Sequence, residues 1–172
     1  MKRLATISLM LCILLVMAAP LAQADGPVVI TPYQGGPEYY ADAGQEVIIR
    51  AGWGACTRGL TQAFTRAAVV SMEVNLDGEP YLAVDPPARA FWSRPERSDG
   101  PTTACVMHTS GLWASEWLYS LGELDAGEYY LHFDWTLAHP VPDGGDYDGD
   151  GAPDLFTPDN YHIESYVTIV VS

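Results

Sequence analysis

An all-β, antiparallel fold with at most one short helix is predicted by three observations on this 172-residue chain. Stretches of β-branched and aromatic residues bounded by Gly or Pro recur along it, sustained helical periodicity is nearly absent, and an Asp-Gly pair sits where a hairpin turn belongs. No internal repeat of about 20 to 50 residues, the period of a solenoid or propeller, is found.

The first two strands are expected over Pro27 to Thr31 and Glu46 to Trp53, both β-branched and closed by Gly or Pro. The one helical signal follows them. Over Arg58 to Ala68, Leu60, Phe64 and Ala67 share a face at helical spacing. Val69 to Leu76 is the next strand, and Asp77-Gly78 turns it back into Tyr81 to Val84 as an antiparallel hairpin. Asp85 to Pro101, with Pro86, Pro87, Pro95 and several charges, reads as a long surface connection. Cys105 to Thr109, Trp113 to Leu121, Glu128 to Leu137 and Tyr161 to Val171 complete the strands.

The segment Asp125-Ala126-Gly127-Glu128-Tyr129 resembles the tyrosine corner of immunoglobulin-like β-sandwiches, in which the tyrosine hydroxyl bonds back to nearby backbone at the entry to a late strand. The resemblance implies an antiparallel immunoglobulin-like sandwich with Tyr129 as the corner residue. Leu131 stands where antibody domains carry their second cysteine, so the usual inter-sheet bridge is missing.

Lys2 and Arg3, the apolar run Ile7 to Met17 and the small-residue site Ala22-Gln23-Ala24 read as an export signal over residues 1–24, with Asp25 as the mature N-terminus. The apolar run is shorter than the about 18 residues a membrane span requires, and Pro20 interrupts its end. No transmembrane helix is therefore expected after cleavage, and Cys12 leaves with the signal. Residues 25–172 are of single-domain size. They hold six arginines and no lysine against 22 acidic residues, a formal net charge of −16, which sets nucleic acid aside as a partner. Cys56 and Cys105 are an even pair in an exported chain and read as a disulfide, since neither lies in a Cys-x-x-Cys pair or a nucleophile motif.

Asp146-Tyr147-Asp148-Gly149-Asp150-Gly151-Ala152-Pro153-Asp154 carries the best-defined chemistry. Calcium takes about 6 to 8 oxygen ligands, and a short loop supplies them when alternate side chains point inward around a glycine bend. Asp146, Asp148 and Asp150 fill the first, third and fifth ligand positions, Gly151 permits the bend, Ala152 offers its carbonyl, and Asp154 takes the ninth position. A complete EF-hand does not fit: Pro140, Pro142, Pro153 and Pro158 disfavour flanking helices, and Thr157 stands where the bidentate glutamate belongs. The string is similar to the Asp-x-Asp-x-Asp-Gly-x-x-Asp loops of dockerins, integrin-type repeats and thrombospondin calcium repeats, which implies ion binding; those families repeat the loop, whereas this chain has it once. Asp143, Asp159 or Glu164 is expected to supply a further ligand, so that Ca²⁺ orders the loop at 143–159. Magnesium demands a tighter octahedron, and zinc prefers histidine or cysteine, of which only His139 is near.

The sequence contains no Gly-x-Ser-x-Gly elbow, no His-Glu-x-x-His and no phosphate-binding glycine loop, and His108, His132, His139 and His162 are dispersed. A non-catalytic chain is expected. Among the tryptophans, Trp117 and Trp135 read as core, while Trp92, flanked by Arg89, Arg94 and Arg97, is the candidate for an exposed ligand-binding ring. The function read from the sequence is a secreted or cell-surface calcium-binding β-sandwich with a structural or adhesive role toward a protein or glycan. A carbohydrate-binding module is the alternative, and a small secreted hydrolase the third reading.

Overall fold

The computed structural model describes residues 26–33, 38–84, 88–98, 105 and 112–172. The expected export signal over 1–24, Cys12, and residues 106–109 of an expected strand lie outside them. The described chain is all-β with one short helix. Two sheets pack face to face, and no described helix is long and apolar enough to cross a membrane.

The four-stranded sheet is formed by β1 (Val28–Ile30), β3 (Glu46–Ala55), β7 (Leu112–Glu123) and β6 (Glu96–Ser98), in that spatial order. The five-stranded sheet runs β2 (Glu38–Ala41), β11 (His162–Val171), β8 (Gly127–Leu137), β4 (Ala68–Leu76), β5 (Glu79–Val84). Interior pairings are antiparallel, whereas β1 joins β3 and β2 joins β11 in parallel at the edges. The sequence expectation missed these two pairings because neither passes through a hairpin, and a two-residue hairpin is the local device that imposes antiparallel direction.

Helix α1 (Arg58–Ala67) carries the chain from one sheet to the other. It starts where the Thr57 side chain accepts a hydrogen bond from the Leu60 N–H at 3.2 Å, and it stops where Ala68 turns extended and enters β4. Its buried face is Thr61, Phe64 and Ala67, one residue rotated from the expected Leu60, Phe64 and Ala67. The β4–β5 hairpin turns at Asp77 and Gly78, both at positive φ (51° and 88°), as an Asp-Gly turn between twisted strands requires.

Alternation supplies the core. Leu131, Phe133 and Trp135 point inward from β8, Val167 and Ile169 from β11, Val47, Ile49 and Ala51 from β3, and Trp117 from β7. Rings meet across the layers, Trp117 against Phe133 at 5.8 Å and Trp53 edge-on to Trp135 at 6.5 Å. Each fully buried aliphatic or phenyl side chain contributes roughly 1.5–3 kcal/mol. At the entry to β8 the Tyr129 hydroxyl, buried, donates to the Asp125 carbonyl at 3.1 Å, the bond expected of the corner.

Within the expected connection over 85–101, the described residues 88–98 hold more regular structure than their composition indicated. They contain a 3-10 turn at Ala88–Phe91 and the edge strand β6. Glu-Arg-Ser has no apolar alternation to announce a strand, and β6 exists because β7 offers it an open edge at Leu112–Ala114. Trp92 corrects another expectation. It is half-buried, bridges to Trp117, and lies 5.6 Å from the Trp135 ring, because the flanking turn folds it down onto the core.

Candidate metal centre

Past β8, the short strands β9 (Val141–Pro142) and β10 (Leu155–Phe156) pair antiparallel and close residues 143–154 into a loop. The loop sits at the end of the sandwich where β3 finishes and β7 begins. Its base is fixed three times. The Cys56 N–H donates to the Asp143 carbonyl at 2.8 Å, Cys105 bridges to Gly145, and Cys56 and Cys105 are joined in the expected disulfide. Gly144 passes so close that a Cβ there would lie 2.9 Å from the Cys56 Cβ and from Leu60, and its φ of 86° is one that glycine adopts freely.

Within the loop, Asp146, Asp148 and Asp154 each bring one carboxylate oxygen to a common point, the three lying within 4.8 Å of one another. Gly149 and Gly151 take positive φ (79° and 86°), and Gly151 is the position where the sequence placed the bend. The Asp146 carboxylate draws the backbone inward by accepting N–H groups from Gly149 at 2.6 Å, Asp150 at 3.1 Å and Gly151 at 2.9 Å. Asp154 closes the ring by accepting from the Tyr147 N–H at 2.5 Å while its own N–H donates to the Gly145 carbonyl. Three carboxylates at this spacing repel one another, and a hard cation removes that repulsion while using the oxygens as ligands.

The other carboxylates expected as ligands fall outside this group of three. Asp150 lies outside the cluster, its Oδ1 accepting the Ala152 N–H at 2.8 Å, and Ala152 is solvent-exposed. Asp143 is not among the three: it is only 2 % exposed, and its two oxygens accept the Gly145 N–H and the Tyr147 hydroxyl, each at 2.7 Å. Glu164 stands on the outer face of β11, where it accepts from Tyr166 and pairs with His132, so the strand turns it away from the loop. Asp159 is exposed on the Thr157–Asn160 turn and does not join the cluster. His139 is also exposed, its ring nitrogen beside the neighbouring Pro140 carbonyl.

Sequence reasoning passed over Tyr147. Its ring covers Gly145, and desolvation of its hydroxyl end against buried Asp143, together with the hydrogen bond to that carboxylate, holds its phenol well above the ordinary tyrosine value although the residue as a whole is exposed. The available signal was a single large aromatic inside a run of Asp and Gly. Beside it opens a cavity of about 620 Å³ lined by Trp53, Tyr147, Asp148, Asp154, Leu155, Phe156 and Asn160, so two carboxylates of the cluster also form its wall. Trp53, stacked on Phe64 at 3.6 Å, is the rigid floor.

A second group of polar side chains decorates the outer face of the five-stranded sheet. His162 Nε2 lies 2.6 Å from Asp134, His132 Nε2 lies 3.1 Å from Glu164, and the Tyr166 hydroxyl donates to the same Glu164 oxygen at 2.7 Å. The hydroxyl proton is aimed at a carboxylate and not at the imidazole, so this histidine does not activate it as a nucleophile. Comparison with protein-family models, with characterised proteins and with solved structures finds no match.

Proposed function

We propose that this chain is an exported, immunoglobulin-like β-sandwich module that binds Ca²⁺ through Asp146, Asp148 and Asp154, the ion ordering a loop that serves a structural or adhesive, non-catalytic role outside the cell. The observation that carries the reading is the convergence of those three carboxylates within 4.8 Å on a loop bent at two left-handed glycines. Oxygen-only donors suit a hard cation, and water completes the shell. The immunoglobulin-like assignment draws on strand order. The sheets β1-β3-β7-β6 and β11-β8-β4-β5 correspond to A-B-E-D and G-F-C-C′, with Tyr129 at the head of the F position and the loop between F and G. The Cys56–Cys105 bridge accords with an oxidising compartment.

Calorimetric titration of the purified protein with CaCl₂ tests the reading. A single binding event is expected, with a dissociation constant of about 10⁻⁴ to 10⁻³ M as in other extracellular modules, and Asp146→Ala abolishes it. Identical heats from the variant and the parent protein overturn the assignment.

The cavity beside the loop favours a second reading, carbohydrate binding. Trp53, Phe156 and Leu155 offer apolar surface to a sugar ring, while Asp148, Asp154 and Asn160 accept from its hydroxyls. Glycan-array binding that disappears with Trp53→Ala supports it.

A further inference from the structure

The five strands β2, β4, β5, β8 and β11 contain no lysine or arginine, yet they carry Glu38, Glu73, Glu79, Glu128, Asp134 and Glu164. Because Val74, Leu131, Val167 and Ile169 are buried, their neighbours along each strand point outward. Register then sets Tyr166, His132 and Glu73 in one row across β11, β8 and β4, and Thr168, Tyr130 and Asn75 in the next. Between these rows lies a cleft of about 500 Å³ whose walls are Tyr166, Tyr130, His132, Thr168, Glu73 and Asn75.

The chemistry of the cleft is one-sided. Tyr166 is 66 % and Tyr130 43 % exposed; one face of the Tyr166 ring is stacked on His132 at 4.6 Å, so the ring surface left for stacking is the other face of Tyr166 and the ring of Tyr130. Their hydroxyl protons are committed, Tyr166 to Glu164 at 2.7 Å and Tyr130 to Glu128 at 2.6 Å, and His132 faces Glu164. The same Glu-x-Tyr arrangement recurs on β2, where Tyr40 donates to Glu38 at 2.7 Å. What these groups leave for a ligand is mainly acceptor oxygen, negative charge and electron-rich ring. Such a surface suits a group that only donates, is positively charged and stacks. A guanidinium meets all three conditions, having five donors in a planar fork and no acceptor, whereas an ammonium cannot stack.

We propose that the cleft between Tyr130 and Tyr166 is a docking site for an arginine side chain of a partner protein, the guanidinium stacking on a tyrosine ring and pairing with the Glu73 carboxylate. The site lies on the outer sheet face and is independent of the calcium loop.

Calorimetry with the purified protein tests it, using the blocked peptide Gly-Arg-Gly-Arg-Gly, its lysine counterpart and a glutamine control. The arginine peptide is expected to bind tightest and the glutamine peptide not at all. Glu73→Gln and the charge-neutral Tyr166→Leu each weaken the arginine peptide about tenfold, while Asp159→Asn, which removes one charge elsewhere, leaves it unchanged. Tyr130→Leu, on the facing wall, gives the same readout should the Tyr166→Leu chain fail to fold. Equal affinity for the arginine and lysine peptides, with Glu73→Gln and Asp159→Asn weakening both alike, reduces the effect to diffuse attraction by net charge and overturns the proposal. Displacement of the peptide by a neutral oligosaccharide, or by self-association of the protein on this face, overturns it equally.

Discussion

The Tyr147 hydroxyl donates to Oδ2 of Asp143 across 2.7 Å, joining an exposed loop tyrosine to a carboxylate that the fold has almost entirely removed from water. The partner oxygen, Oδ1, is taken by the Gly145 N–H. Asp143 is thereby a tether at the base of the aspartate loop, below the carboxylate cluster of Asp146, Asp148 and Asp154.

Tyr147→Phe leaves Oδ2 of Asp143 without its donor. Stripping one partner from a buried acceptor costs about 1–3 kcal/mol, so urea unfolding is expected to shift to lower concentration by that amount with m unchanged. The loss should be the same with Ca²⁺ and with chelator, since neither the Tyr147 hydroxyl nor the Asp143 carboxylate belongs to the cluster of Asp146, Asp148 and Asp154.

Asp148→Asn is expected to behave in the opposite manner. On the proposed reading, calcium at about 100 times its dissociation constant is expected to add about 2.7 kcal/mol to the parent protein. Thermal melts of Asp148→Asn should lose that increment and retain the chelator-state midpoint, because among the described residues Asp148 accepts only the Asp150 N–H, within the loop.

Reduction of Cys56–Cys105, which closes a separation of 49 residues, is expected to cost at most about 4 kcal/mol in the chain-entropy account. Since Cys56 also holds Asp143 through its backbone N–H, a Cys56→Ser/Cys105→Ser variant should be cleaved within residues 138–160 by a broad-specificity protease before the rest of the sandwich.

His162 is about half exposed, and its hydrogen bond to Asp134, followed by the charges of Asp134 and Glu164, raises its pKa above 6.5. The folded form therefore holds the proton more tightly than the unfolded chain. The stabilisation is complete below the unfolded pKa and is lost as pH rises through the folded one. Following the His162 imidazole resonances against pH should give a midpoint above 6.5 that falls in Asp134→Asn.

Much of the fold was legible in the sequence. The run Glu128 to Leu137 alternates Tyr129, Leu131, Phe133 and Trp135 with polar neighbours, so its inner face could be read directly. The Asp77-Gly78 turn and the corner at Tyr129 were equally readable, since each depends on residues adjacent in the chain. The edge strands β2 and β6 were not, because three or four residues without strict alternation become strands only when a neighbour presents free N–H and C=O groups. The same division runs through the aspartate loop. The spacing of Asp146, Asp148 and Asp154 predicted the cluster, but Asp143 and Asp150 carry the same carboxylate and were assigned the same task.

What the sequence determined by itself was the all-β character, the hairpin and corner, the paired cysteines and the acidic loop with its glycine bend, all of them consequences of side-chain alternation and backbone preference within a few residues. Which strands pair in parallel, which carboxylate is buried under Tyr147, and which tyrosines stand together on the outer sheet face were decided by tertiary structure. Those relations join residues far apart in the chain, and their energies exist only once burial and register have brought the partners together.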